Sequence, residues 1–231
     1  MRKIMFATIL TVLMTFSTSF AAENVNSPPI ISVNGDGFVE MTPDRAKISI
    51  GVVTNAKNPS EAQNLNAQAA KSVIDSIIGL GIERKNVSTS NFSIYPTRNG
   101  VKNEISGYEA TNLVTIIVDD VNLVGKIIDS ALKSGANHVD GVNFGLRDKN
   151  SAQDEAIRLA ILDAKHKAEV AAAVLGKKIV GVRNISLNSS SISPRNYKMA
   201  RAAADSADFE TPIESGTVNF TANVHVEFEI G

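Results

Sequence analysis

The stretch Val218-Asn-Phe-Thr-Ala-Asn-Val-His-Val-Glu-Phe-Glu-Ile230 alternates apolar and polar residues without a break. Val218, Phe220, Ala222, Val224, Val226, Phe228 and Ile230 fall on one side. Asn219, Thr221, Asn223, His225, Glu227 and Glu229 fall on the other. A period of two is that of a strand with one buried face. Arg45 to Thr54 repeats the pattern, with Ala46, Ile48, Ile50 and Val52 on the apolar side. Ser151 to Leu175 follows a different period. Ile157, Ala160, Ile161, Ala164, Ala168, Ala171, Ala172 and Leu175 recur at helical spacing, and many are small enough for close packing. A chain that mixes both periods predicts an α+β fold.

The remaining segments fit between these anchors. Ile30 to Glu40 reads as a strand containing Gly35 and Gly37, followed by the turn Met41-Thr-Pro-Asp44. Asn58-Pro59-Ser60-Glu61 opens a helix whose stripe is Leu65, Ala69, Val73, Ile77 and Leu80, and Gly81 ends it. Asn86 to Arg98 and Ile105 to Val118 are strands. Leu113 to Val118 is apolar on both faces and is expected to lie centrally, covered on both sides. Asp119 or Asp120 caps a helix to about Ser134, and Val139 to Leu146 is a strand. Ser151 to Asp154 begins the long helix as a capping box, and Lys177 to Leu187 is a further strand. The expected order is β-β-α-β-β-α-β-α-β-β, with antiparallel or mixed sheets covered by helices. Ile74-Asp75-Ser76 with Gly81 recurs as Ile128-Asp129-Ser130 with Gly135, and Asn91-Phe92 as Asn143-Phe144. That echo points to a duplicated helix-strand unit.

The first residues, Met1 to Ala21, carry Arg2 and Lys3, an apolar stretch from Ile4 to Phe16, and small residues to Ala21. They read as a secretory leader cleaved after Ala21, which makes residues 22–231 the working domain, exported from the cytosol; the periplasm as its destination comes with the resemblance given below. The whole chain has 23 Lys plus Arg against 24 Asp plus Glu, and loss of the leader makes it more acidic. Such a balance does not suit nucleic acid or an anionic membrane surface. Cysteine is absent, so neither disulfides nor thiol catalysis are available. No later run is long and apolar enough for a transmembrane helix.

Few motifs carry chemistry. His138, His166 and His225 lack the spacing of a local metal site and read as surface residues. Gly35-Asp36-Gly37 lacks the third glycine and the Lys of a phosphate loop, so it marks a bulge or a close backbone approach. Asp36, Glu40 and Asp44 are near in sequence without calcium-loop spacing. No catalytic, cofactor-binding or metal-binding residue is assigned, and no cofactor is expected. Asn188 to Gly216 is long and rich in Ser, Ala, Pro and charge, which suits a segment with a task of its own. Within it Arg195, Tyr197, Lys198, Met199 and Arg201 form a candidate oligomer-contact segment.

Several short motifs occur together in order. They are Ile31-Ser-Val-Asn-Gly-Asp-Gly37, Pro43-Asp-Arg-Ala46, Ser90-Asn-Phe-Ser93 with Tyr95-Pro96, and Gly107-Tyr-Glu-Ala110. Ser134-Gly-Ala-Asn137, Gly141-Val-Asn-Phe-Gly145, Met199-Ala-Arg-Ala202 and Thr211-Pro-Ile-Glu214 follow. With these the chain resembles the SIMPL domain family, whose bacterial branches include YggE-like periplasmic proteins and the periplasmic immunogenic protein of alphaproteobacteria. The resemblance implies an α+β fold with a β-β-α core and an exported protein, soluble or peripherally associated with the outer membrane. It implies a non-enzyme with no catalytic motif to carry over. The immunogenic branch implies a large ring-like or channel-like homo-oligomer, and the YggE-like branch a role in oxidative stress. The expectation is a non-enzymatic periplasmic protein that self-assembles and serves the envelope. A small-ligand or peptide binder, or an outer-membrane-associated pore, is the alternative.

Overall fold

A computed structural model describes residues 28–100, 103–194 and 211–231; the side chains of 189–194 lie outside the description. The elements follow the expected order. They are β1 (Ile30–Met41), β2 (Arg45–Ala56), α1 (Pro59–Gly79), β3 (Val87–Arg98), β4 (Ile105–Val118), α2 (Val124–Lys133), β5 (His138–Gly145), α3 (Lys149–Val174), β6 (Ile179–Pro194) and β7 (Val218–Ile230). They build two antiparallel sheets, of strand order β3-β4-β2-β5 and β1-β7-β6.

The four-stranded sheet comes from β2-α1-β3 followed by β4-α2-β5. The inner strands β2 and β4 pair with each other, and each unit's outer strand flanks the other unit's inner strand. This is the split β-α-β arrangement of ferredoxin-like sheets. The Ile-Asp-Ser echo falls at equivalent places in α1 and α2. Gly81 and Gly135 both follow their helices at positive φ, where glycine closes a helix without strain. Both helices pack on one face of the sheet. Val73 and Ile77 of α1 and Val124, Ile127 and Ala131 of α2 meet Ala46, Ile48, Ile50, Val114, Ile116 and Val118. β4 is an interior strand as expected, but helices cover only one of its faces. On the other face Leu113 and Ile117 are half-buried, because α3 packs elsewhere.

The three-stranded sheet is covered by α3, which lies over β1 and β7. Ala152, Ala156, Ala160, Ala164, Ala168 and Ala172 are buried at a strict spacing of four. Rows at this spacing tilt across a helix surface, so the alanine ridge crosses the sheet obliquely. It meets the even-numbered residues of β7, all buried from Val218 to Ile230. Opposite the ridge, β1 carries Gly35 and Gly37. A Cβ on Gly35 would stand 2.0 Å from the Ala160 carbonyl oxygen, and one on Gly37 1.8 Å from that of Ala156. The Gly35-Asp36-Gly37 motif is therefore a site of close backbone approach.

Four local expectations are corrected. The apolar stripe of α1 runs through Ala62, Asn66, Ala70, Val73 and Ile77, leaving Leu65 46% exposed, because the helix turns Asn66 rather than Leu65 toward the sheet. The long helix starts at Lys149, capped by the Asp148 side chain, which accepts from the Asn150 and Ser151 N–H groups; this replaces the Ser151 capping box. Leu175 lies past the end of α3 and is exposed. Where irregular chain from Asn188 was expected, β6 keeps pairing with β7 as far as Pro194. Of the two candidate caps before α2, Asp120 accepts from the Asn122 N–H, whereas Asp119 binds Arg45.

Gly37→Ala should destabilise the fold by about 3 kcal/mol through overpacking against α3. Gly79→Ala, with nothing near its would-be Cβ, should stabilise it by about 0.5 kcal/mol. Urea unfolding monitored by circular dichroism checks both.

Candidate functional site: an open edge strand

The closeness of α3 to β1 has an electrostatic consequence. β1 is an edge strand, so its outward N–H and C=O groups have no strand partner. α3 supplies partners from one i,i+4 pair. The Asp163 carboxylate accepts from the Asp36 N–H at 2.9 Å, and the Lys167 ammonium donates to the Asn34 carbonyl at 3.0 Å. Lys167 also sits 2.6 Å from Asp163 and 3.7 Å from Asp36. The Lys167 hydrogen bond, with that of the Asp36 N–H, holds the Asp163 carboxyl below its usual range. Asp163 in turn raises Lys167. Both residues lie off the apolar stripe of the long helix in the sequence; their four-residue spacing beside an alanine ridge is the available signal.

The other edge is different. Among the described residues β6 pairs with β7 alone and receives little of α3. Val182, Ile185 and Leu187 stand opposite Phe228, Val226 and Val224, so they share the apolar face of β7. Those β7 residues are buried, whereas Val182, Ile185 and Leu187 are 58%, 46% and 58% exposed. A register shift at Arg183 puts these three apolar residues on one side despite their uneven spacing. Arg183 itself is tied down, to Glu229 and to the Pro28 carbonyl. Two backbone groups on the β1 edge are therefore engaged by α3, whereas among the described residues the β6 edge has no strand partner and lies beside an apolar strip.

Other polar residues hold the frame. Asn66, fully buried on α1, donates through Nδ2 to the Val52 carbonyl of β2 at 2.8 Å and the Ala110 carbonyl of β4 at 2.9 Å. Asn137 extends the β2 ladder past the end of β5. Its side chain pairs with both backbone groups of Val53, while its N–H donates to the Gly51 carbonyl. Arg45 binds Asp119 at 2.7 Å at the end of β4, and the Asp44 carboxylate accepts from the Arg147 N–H. Asp129 of α2 accepts from both the N–H and the hydroxyl of Thr211, and Ile213 packs on the larger core. A Cβ on Gly125 would stand 2.6 Å from the Thr211 carbonyl oxygen, so this docking needs a glycine there. The equivalent positions on α1 are Lys71 and Asp75, which pair with each other.

The sequence candidates separate in space. Asp36 accepts from Asn223, Glu40 from Thr217, and Asp44 from Arg147, so the three carboxylates serve different contacts. His138 and His166 are exposed; His225 is half-buried, with Nδ1 2.8 Å from Asn34 Oδ1. Among the described residues no group of His, Asp and Glu is arranged to hold a metal ion, and no helix is long and apolar enough to cross a membrane. Arg195, Tyr197, Lys198, Met199 and Arg201 lie outside the described residues.

A family model described as SIMPL, protein of unknown function (DUF541), matches residues 31–228. The chain is 30% identical over 240 residues to a 26 kDa periplasmic immunogenic protein of Brucella melitensis, covering 97% of this chain and 95% of that one. It is 26% identical over 213 residues to a protein of Escherichia coli K12 named uncharacterized protein YggE, covering 90% and 86%. It is 25% identical over 220 residues to the YggE protein of Edwardsiella ictaluri, covering 93% and 92%.

Two predictions follow from the side-chain roles. Asn66→Ala strands two buried carbonyls and should cost about 2 kcal/mol, and Asn66→Asp more, in chemical denaturation. Because the Asp163 pKa is depressed on folding, its stabilising effect is complete above the ordinary Asp value of about 3.9 and is lost as pH falls through the lower folded value. Asp163→Asn should therefore flatten the loss of thermal stability below about pH 4, relative to the parent, in a melting series across pH.

Proposed function

We propose, because the chain belongs to the SIMPL family, that it is an exported, non-enzymatic periplasmic protein that self-assembles into a homo-oligomer serving the cell envelope. The observation that carries this reading is the unequal treatment of the two edges in the three-stranded sheet. Asp163 and Lys167 engage two backbone groups of the β1 edge, whereas among the described residues β6 keeps an unpaired edge with Val182, Ile185 and Leu187 half-exposed. Exposed apolar edge strands pair with something or aggregate, and proteins normally blunt them. The periplasmic names of relatives matched over nearly their whole length support the location, with residues 1–21 read as the leader. A role in oxidative stress, antigenicity and a peripheral association with the outer membrane belong to the same reading and rest on the family resemblance. The candidate contact residues Arg195, Tyr197, Lys198, Met199 and Arg201 follow β6 directly in sequence, which makes them neighbours of this surface along the chain.

A second reading draws on the same edge. An extended peptide can add to an open strand through backbone hydrogen bonds while neighbouring pockets read its side chains. Peptide binding would raise the melting temperature of an otherwise monomeric chain.

Light scattering coupled to size exclusion on the mature chain, without detergent, separates the two readings. Self-assembly predicts a narrow peak at several times the mass of one chain and independent of concentration. A mass of one chain at high micromolar concentration removes self-assembly and leaves peptide binding.

A further inference from the structure

We propose that β6 pairs with the β6 of a second copy of this chain, antiparallel across a two-fold axis, so that two three-stranded sheets become one of six strands. The inference rests on the self-assembly reading and adds to it the surface and the symmetry.

A sheet can grow only at an edge whose backbone groups are unclaimed. On β1 the Asp36 N–H and the Asn34 carbonyl are claimed by α3. A head-to-tail contact of β6 with β1 of the next copy would propagate as an open filament, and those two side chains stand in its way. β5, the nearest strand of the other sheet, approaches β6 without pairing to it. Within β6, register shifts interrupt the ladder around Val180, around Arg183 and after Asn188. Bulges of this kind blunt an edge locally. Between them the run Asn184-Ile-Ser-Leu-Asn188 pairs one-to-one with Glu227 to Asn223 and stays regular. That run is the part of the edge able to accept another strand.

The occupant follows from charge and symmetry. Asn184 to Asn188 contains no charged residue, and the preceding Arg183 is held by Glu229 and the Pro28 carbonyl. Two copies therefore meet there without like-charge repulsion, which an edge carrying a free lysine would suffer. An antiparallel strand pair is self-complementary about a two-fold axis, so one edge serves as both halves of the contact. Pairing also sets Ile185 and Leu187 of each copy beside those of the other, giving the uncovered strip a cover of its own chemistry. Because each copy uses its own β6 edge as both halves, this contact closes at two copies. A larger assembly would be built from such pairs through a different surface.

The test uses the mature chain, which has no cysteine, so an introduced thiol is unique. Asn184→Cys, Ser186→Cys and Asn188→Cys are made singly, with Ser88→Cys on β3 as the control. After mild oxidation with copper-phenanthroline at low micromolar concentration, at least one β6 variant should run as a covalent dimer and the control should not. Ile185→Lys with Leu187→Lys should halve the mass read by light scattering while circular dichroism stays unchanged. If the parent assembles, no β6 cysteine crosslinks and the double lysine variant keeps the parent mass, the β6 pairing is wrong and self-assembly stands. A parent mass of one chain overturns both. If the lysine variant fails to fold, the cysteine scan alone decides.

Discussion

The contact between the alanine ridge of α3 and the two glycines of β1 governs the smaller half of this protein. With no side chain at Gly35 and Gly37, the helix backbone settles against the strand at a distance that even a methyl group would forbid. The ridge is built of the smallest helix-forming side chain, so the approach is close along the whole interface and not at one point. Proximity then lets Asp163 and Lys167 reach over the strand and engage two backbone groups of its edge. One packing decision thus buries the apolar face of β7, fixes where α3 lies, and engages one edge of the sheet.

The same decision leaves the other side unfinished. A helix drawn toward β1 cannot also cover β6, and the residues of β6 that continue the apolar face of β7 remain half-exposed. The four-stranded sheet has no such imbalance on its helical face, because the helices of its two β-α-β units share it. Its order is kept by amide side chains. Asn66 ties β2 to β4 from the helix above, and Asn137 continues the ladder where β5 has not yet begun. Thr211 on Asp129 fastens the chain entering β7 to α2, so the two sheets are joined by a hydrogen-bonded strap as well as by the turn between β1 and β2.

Much of the fold was legible in the sequence because burial imposes a period. β7 and β2 alternate in the sequence and alternate in burial. The order of elements followed from those periods and from glycine stops. Legibility failed where a polar residue takes a core position or where a helix end depends on geometry. Asn66 carries no sequence signal of its burial, because its partners are two carbonyls distant in sequence. Leu65 looked like core because leucine usually is, yet the rotation of α1 was set by the sheet. Asp148 outcompeted Ser151 as a cap by a difference of three residues, within the reach of either side chain.

The sequence by itself determined the class and the order of elements, and it marked Gly35 and Gly37 as positions where the backbone either bulges or is closely approached. Each of these depends on residue type and spacing along a single segment. Tertiary structure decided which strands became edges, which edge the helix engaged and which apolar face stayed open. Those outcomes depend on where a helix comes to rest across a sheet. The same period of two describes β6 whether its apolar side is covered or bare, so only the position of α3 distinguishes a buried strand from a surface that seeks a partner.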